Sequence, residues 1–216
     1  TISVATEETL VQSSSCGASF LGDRWVLTAS HCVDGLSPDR VKVNVGEYDL
    51  RDGAENAIEA KNVFMHGNYN PSNLNYDIAI IELSQSVESS SIALANEETT
   101  TREAAANSAV RVIGWGGRKA YAPGEGPTGN FPDILHEVEL QLFTNDECKD
   151  ILAESRNTVP SQTGITDKML CAGTLTGGKG SCQGDSGGPL VVQTPSGWEQ
   201  VGIVSWGIGC AEEGYP

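Results

Sequence analysis

Val138-Glu139-Leu140-Gln141-Leu142 alternates apolar and polar side chains, and Val41-Lys42-Val43-Asn44-Val45 does the same in the first quarter of the chain. Successive side chains of a strand point to opposite faces, so each stretch reads as a strand with one face in a core. Apolar runs at Ile78 to Ile81 and Val201 to Val204 also read as strands. The expected fold class is therefore all-β. One short helix is expected where Thr144-Asn145-Asp146-Glu147 makes a capping box ahead of Cys148 to Ser155. The polar stretch Asn96 to Asn107 reads as a linker whose Glu and Ala content also permits a helical turn, and it divides the chain into 1–100 and 101–216. The Gly- and Pro-rich segment Gly116 to Pro132 reads as a long exposed loop.

At 216 residues the chain is long enough to bury a real core, and 38% hydrophobic content with 25 Gly and 9 Pro suits many short strands joined by turns. No apolar run is long enough to span a membrane. Residues Thr1 to Glu8 lack the basic and apolar regions of a signal peptide, so any export signal is expected to have been removed. The formal charge of −16 argues against nucleic acid or an anionic membrane as partner and modestly favours cationic substrates. Six cysteines allow 15 pairings, among which sequence alone does not choose. No C-x-x-C or paired Cys/His spacing suggests zinc, and no N-x-S/T sequon is present.

Chemistry concentrates in three short stretches: Thr28-Ala29-Ser30-His31-Cys32, Asp77-Ile78-Ala79 and Gly184-Asp185-Ser186-Gly187-Gly188-Pro189. A serine hydroxyl is a poor nucleophile until a base takes its proton, and imidazole is the side chain best poised to do so. A carboxylate behind the ring fixes the tautomer and stabilises the imidazolium, which suits Asp77 behind His31. Glycines around Ser186 permit a tight turn whose N–H groups, those of Gly184 and Ser186, point at a developing oxyanion. His66 and His136 lack such surroundings and read as structural or surface residues. The G-x-S-x-G of an α/β-hydrolase elbow is also matched at Gly184 to Gly188, but those enzymes carry their histidine after the serine, and here none follows Ser186. Gly114-Trp115-Gly116-Gly117 completes no dinucleotide fingerprint.

These stretches, with Trp25 to Thr28, Gly114-Trp115-Gly116, Met169 to Gly173 and Ser205-Trp206-Gly207, resemble the trypsin-like, chymotrypsin-fold serine proteases over nearly the whole chain. The resemblance implies two packed antiparallel six-stranded β-barrels, with His31 and Asp77 from the first and Ser186 from the second. It implies a secreted endopeptidase working through an acyl-enzyme, acting on polypeptides, open to protein protease inhibitors, monomeric by default, and needing no cofactor for its chemistry. It pairs Cys16 with Cys32, Cys148 with Cys171 and Cys182 with Cys210. Three such bridges imply an oxidising compartment. Gly180, Ser181, Gln183, Ser205, Trp206 and Gly207 become substrate-binding positions. Glu47, Asp49 and Glu55 become a candidate Ca²⁺ site, in a solvated loop that offers oxygen ligands.

The sequence also departs from the family. Gly180 stands where an aspartate attracts Arg or Lys before the scissile bond. Some relatives with glycine there take an acid from the strand that follows a Gly-Tyr-Pro region, so the expectation leans to basic residues, with broad or apolar preference as the alternative. The activated family N-terminus, whose α-amino group pairs with the aspartate corresponding to Asp185, and a C-terminal strand and helix are missing from the sequence. Either these segments are trimmed or the molecule is a fragment; with the N-terminus truly absent, the expectation is a poorly formed oxyanion hole and low activity, as in a zymogen. A non-catalytic, protein-binding homologue is the rival class, but such proteins lose a triad member and none is lost here.

Overall fold

The computed structural model describes residues 2–4, 14–52, 57–102, 104–119, 130–154 and 164–215. Strands dominate them. In chain order they are β1 (Ile2–Val4), β2 (Ser14–Cys16), β3 (Ser19–Gly22), β4 (Trp25–Thr28), β5 (Val41–Asn44), β6 (Ala57–Met65), β7 (Ala79–Leu83) and β8 (Ala93–Leu94). They continue with β9 (Ala109–Gly114), β10 (His136–Phe143), β11 (Cys171–Gly173), β12 (Pro189–Thr194) and β13 (Gly197–Ile203). Two helices, α1 (Glu97–Arg102) and α2 (Asn145–Glu154), accompany them.

The strands form two sheets, ordered β2-β1-β5-β6-β7-β4-β3 and β11-β10-β9-β12-β13-β8. An all-β architecture is thus what the alternation dictates. In β5 Val41 and Val43 are buried, and in β10 Leu140 and Leu142 are buried while Glu139 and Gln141 are exposed. One core gathers Val26, Val41, Val43, Ile81 and Leu83; the other gathers Val110, Val112, Leu140, Leu142 and Val192. Each such side chain contributes about 1.5–3 kcal/mol on burial.

Three details differ from expectation. The first sheet has seven strands among the described residues, not six. Alternation in β5 ends at Asn44, a buried polar residue at 2% exposure whose Nδ2 donates to Glu47. The division expected at 100–101 falls inside α1, and β8, which precedes it, pairs parallel with β13 in the second sheet. A two-residue strand carries no periodicity from which its sheet can be read.

The predicted helix forms as α2. Thr144 Oγ1 accepts the N–H of Glu147 at 3.1 Å, and Glu147 accepts the N–H of Thr144 at 2.8 Å, closing the capping box. Those Thr144 bonds hold the Glu147 carboxyl below its usual range. Cys148, on the next turn, is buried and bridged to Cys171, which fastens α2 to β11. The permitted helical turn in the linker is α1, capped by Asn96, whose Oδ1 accepts the Thr99 N–H. Of the expected Gly116–Pro132 loop, residues 120–129 lie outside the described residues, as does Ser155.

Candidate active site

Strand pairing brings the first two signature residues together. β4 and β7 are antiparallel neighbours with Thr28 opposite Ala79. His31 follows β4 in a 3₁₀ turn (Ser30–Cys32), and Asp77 lies just before β7, so 46 residues of sequence separation closes to hydrogen-bond distance. His31 Nδ1 stands 2.6 Å from Asp77 Oδ2, and the His31 backbone N–H donates to Asp77 Oδ1 at 2.8 Å. The Asp77 side chain is 3% exposed and that of His31 26%, so the acid is hidden and the ring faces the cleft. Burial alone pushes the Asp77 carboxyl up, but the bonds from His31 and Ser205 outweigh it and hold the carboxyl below its usual range.

Ser205 supplies something the sequence reading missed. Assigned to substrate binding, it donates its hydroxyl to Asp77 Oδ2 at 2.6 Å across 128 residues. The buried acid therefore accepts from both halves of the chain. Nothing in the sequence around Ser205 separates these roles, because the donation depends on how the two sheets meet.

Ser186 arrives from the second half in a turn seated on the His31 turn. Its carbonyl accepts the Gly17 N–H at 2.7 Å, and Gly187 N–H donates to Val204 O at 2.7 Å. Gly187 has φ +79°, and a Cβ there would lie 2.3 Å from Thr28 Oγ1, 2.5 Å from Gly17 O and 3.2 Å from Cys32 Sγ. The Ser186 turn thus lies directly against Cys32, the residue that follows His31. Among the described residues, no hydrogen bond joins Ser186 Oγ to His31; the ring's Nε2 has Cys32 Sγ as its neighbour at 3.8 Å. Hydrogen bonds between a candidate nucleophile and its candidate base are often long in unliganded enzymes and tighten when substrate binds. The N–H groups of Gly184 and Ser186 have no protein acceptor among the described residues, which leaves both donors for an oxyanion.

Asp185 is 8% exposed, and its carboxylate accepts the N–H of Gly116 at 2.8 Å and of Cys182 at 2.9 Å. The glycines of Gly114-Trp115-Gly116 are explained by this approach: a Cβ on Gly114 would lie 2.1 Å, and one on Gly116 2.2 Å, from an Asp185 carboxylate oxygen. Burial pushes the Asp185 carboxyl up, against the two backbone bonds. A carboxyl raised by folding binds protons more readily in the folded state, so its contribution to stability falls as pH rises from about 3.9 through the folded value. Thermal melts from pH 4 to 8 should show the wild type's advantage over Asp185→Asn shrinking as pH rises; a gap independent of pH contradicts this.

Of the expected substrate contacts, Ser181, Ser205, Trp206 and Gly207 line a cavity of about 700 Å³ that Asp77 also borders, whereas Gly180 and Gln183 do not line it. A Cβ added to Gly207 meets nothing within 4 Å, so the entrance there is open. A Cβ on Gly180 would meet Ala211 at 3.3–3.6 Å. Gln183 lies with Oε1 3.3 Å from Cys210 Sγ and 3.6 Å from Cys182 Sγ, resting on the bridge between them. All three implied disulfides are formed: Cys16–Cys32, Cys148–Cys171 and Cys182–Cys210.

The metal expectation meets a different arrangement. Glu47 Oε1 accepts the N–H groups of Tyr48 and Asp49, and its Oε2 takes Asn44 Nδ2. Asp49 is held by Arg51 Nε at 2.8 Å and Nη2 at 2.5 Å, and the guanidinium brings its carboxyl down to about 2. Arg51 occupies the Asp49 carboxylate, and the third expected ligand, Glu55, lies outside the described residues. The one His/Cys/Asp/Glu group of ligand spacing among the described residues, Cys16, His31 and Cys32, has both sulfurs in a disulfide and offers no thiolate.

Comparison with known proteins decides the family. The trypsin family model matches residues 2–216. The chain belongs to the trypsin family. It is 37% identical over 206 residues to a trypsin of Xenopus laevis, covering 93% of this chain and 73% of that protein. It is likewise 37% identical over 210 residues to trypsin-1 of Astacus astacus, covering 93% of this chain and 80% of that protein. Serine proteinase stubble of Drosophila melanogaster is 39% identical over 211 residues, which are 93% of this chain and 25% of that larger protein. As a trypsin-family member the chain is a serine endopeptidase, a hydrolase of peptide bonds acting on polypeptides. Among the described residues no helix is long and apolar enough to cross a membrane.

Proposed function

We propose that this trypsin-family chain is a secreted endopeptidase in which Ser186, His31 and Asp77 form the catalytic triad. The observation that carries the reading is the buried Asp77 carboxylate 2.6 Å from His31 Nδ1, which selects the tautomer whose Nε2 is free to take a proton. Ser186 Oγ attacks the scissile carbonyl as its proton passes to Nε2. The oxyanion is received by the N–H groups of Gly184 and Ser186, and the imidazolium returns the proton to the leaving amine. Water then repeats the cycle on the acyl-enzyme. Asp185 is the group through which activation acts: a cation reaching its buried carboxylate keeps it ionised and fixes the turn that carries the oxyanion donors. Three disulfides support an extracellular location. The open cleft also suits protein protease inhibitors, and we take the monomer as the working state.

For the residue before the cut we propose Arg or Lys, supported by the charge of −16, the open entrance at Gly207 and the Ser181 hydroxyl as a donor-acceptor partner. One observation favours a second reading, broad or apolar preference: Gly180 supplies no carboxylate, and its side-chain direction looks onto Ala211. A buried guanidinium without a charged partner is costly. Initial rates on peptides carrying Arg, Phe, Leu or Ala before the scissile bond separate them. Arg leading by tenfold or more supports the basic reading, equal rates or a Phe or Leu lead overturn it, and hydrolysis of none overturns the peptidase assignment.

A further inference from the structure

The turn that displays Asp77 is an unusual one. Ile78 N–H donates to Tyr76 O at 2.8 Å, closing a three-residue turn centred on Asp77, and Tyr76 and Leu74 have φ of +56° and +55°. Large side chains rarely adopt such angles, so the turn persists because contacts outside it hold it. Two of these converge on the Ile78 carbonyl, which accepts the His66 N–H at 3.0 Å and the Ser30 hydroxyl at 2.7 Å.

Ser30 is fully buried, at 0% exposure, and immediately precedes His31. The other hydrogen bonds between the His31 turn and the Asp77 turn, from His31 N–H and Nδ1, end on the Asp77 carboxylate itself. That of Ser30 ends on backbone, one residue further on. It therefore fixes the separation of the two turns without depending on the charge of either catalytic group.

We infer that Ser30 is a positioning residue, its hydroxyl pinning the Asp77 turn to the His31 turn so that carboxylate and ring keep their alignment through the proton transfers. This rests on the triad reading above. Ile78 O retains the His66 N–H when Ser30 is truncated, so Ser30→Ala is expected to fold.

The test uses the full chain and two readouts. One is the low-field proton resonance of His31 Nδ1–H, assigned by its loss in His31→Ala and readable without turnover. The other is the division of any activity loss between kcat and KM. Ser30→Ala is expected to shift or broaden the resonance and to lower kcat between about 3- and 10-fold with KM unchanged, the loss corresponding to one net hydrogen bond. Ser30→Thr, which keeps the hydroxyl, is expected to restore both. Thr194→Ala removes a buried hydroxyl that donates to Gly197 O at 2.9 Å, and is expected to lower stability while moving neither readout. A wild-type resonance and kcat in Ser30→Ala, or the same changes in Thr194→Ala, overturn the inference. If Ser30→Ala does not fold, Ser30→Thr decides: a resonance unlike the wild type's overturns it. A wild-type chain that hydrolyses no peptide at all overturns the triad reading instead, and the resonance still separates the two failures.

Discussion

Asp77→Asn is expected to lower kcat at neutral pH by about 10⁴-fold while leaving the fold intact, a magnitude carried over from the Ser-His-Asp triad of this family rather than obtained from the geometry. The direction does follow from the geometry. Asp77 accepts from His31 N–H, His31 Nδ1 and the Ser205 hydroxyl. An asparagine has one acceptor oxygen, and its amide turns two donors toward groups that themselves donate. The ring relieves this by moving its proton to Nε2, the atom that accepts from Ser186 in the proposed triad. Steady-state rates with a circular-dichroism check on folding measure it; a loss under tenfold contradicts the role given to Asp77.

Gly187→Ala is expected to be among the most damaging methyl additions at the described glycines. Its Cβ would lie 2.3 Å from Thr28 Oγ1 and 2.5 Å from Gly17 O, from a backbone at φ +79°. Thr28 is fully buried and donates to Gly17 O at 3.0 Å, so neither neighbour has room to retreat. Overpacking and a left-handed alanine together cost about 2–4 kcal/mol. Relief by withdrawal of the Ser186 turn from the His31 turn is expected to lower kcat/KM by about 100-fold or more. Denaturant melts and kinetics on the soluble variant check both. Stability within about 0.5 kcal/mol of wild type, with unchanged kinetics, contradicts the tight seating of the two turns.

Much of this was legible in the residues, for identifiable reasons. Val138 to Leu142 alternates because β10 has one face on the core, and Thr144-Asn145-Asp146-Glu147 announces α2 because both capping bonds are made within four residues. Local chemistry is what a sequence displays directly. The two turns carrying His31 and Asp77 were readable as signatures, and the pairing of Thr28 with Ala79 is the reason that they meet.

What was not legible depends on distant contacts. Ala93–Leu94 joins the second sheet by a parallel pairing that leaves no pattern. Ser205 donates to an acid 128 positions away, and Gly114 and Gly116 are glycine because Asp185 arrives against them. At Glu47 and Asp49 the residue types suggested a cation site, whereas the carboxylates are engaged by neighbouring N–H groups, by Asn44 and by Arg51. Carboxylate count alone says nothing about which donors reach the oxygens first.

The account turns on Ser186 being a hydroxyl activated by His31. Incubating the full chain with a fluorophosphonate and mapping the adduct by peptide mass spectrometry tests this most directly. A single adduct on Ser186 that disappears in His31→Ala is the expected result. No adduct on the wild type, or equal labelling of Ser186 in His31→Ala, would contradict it.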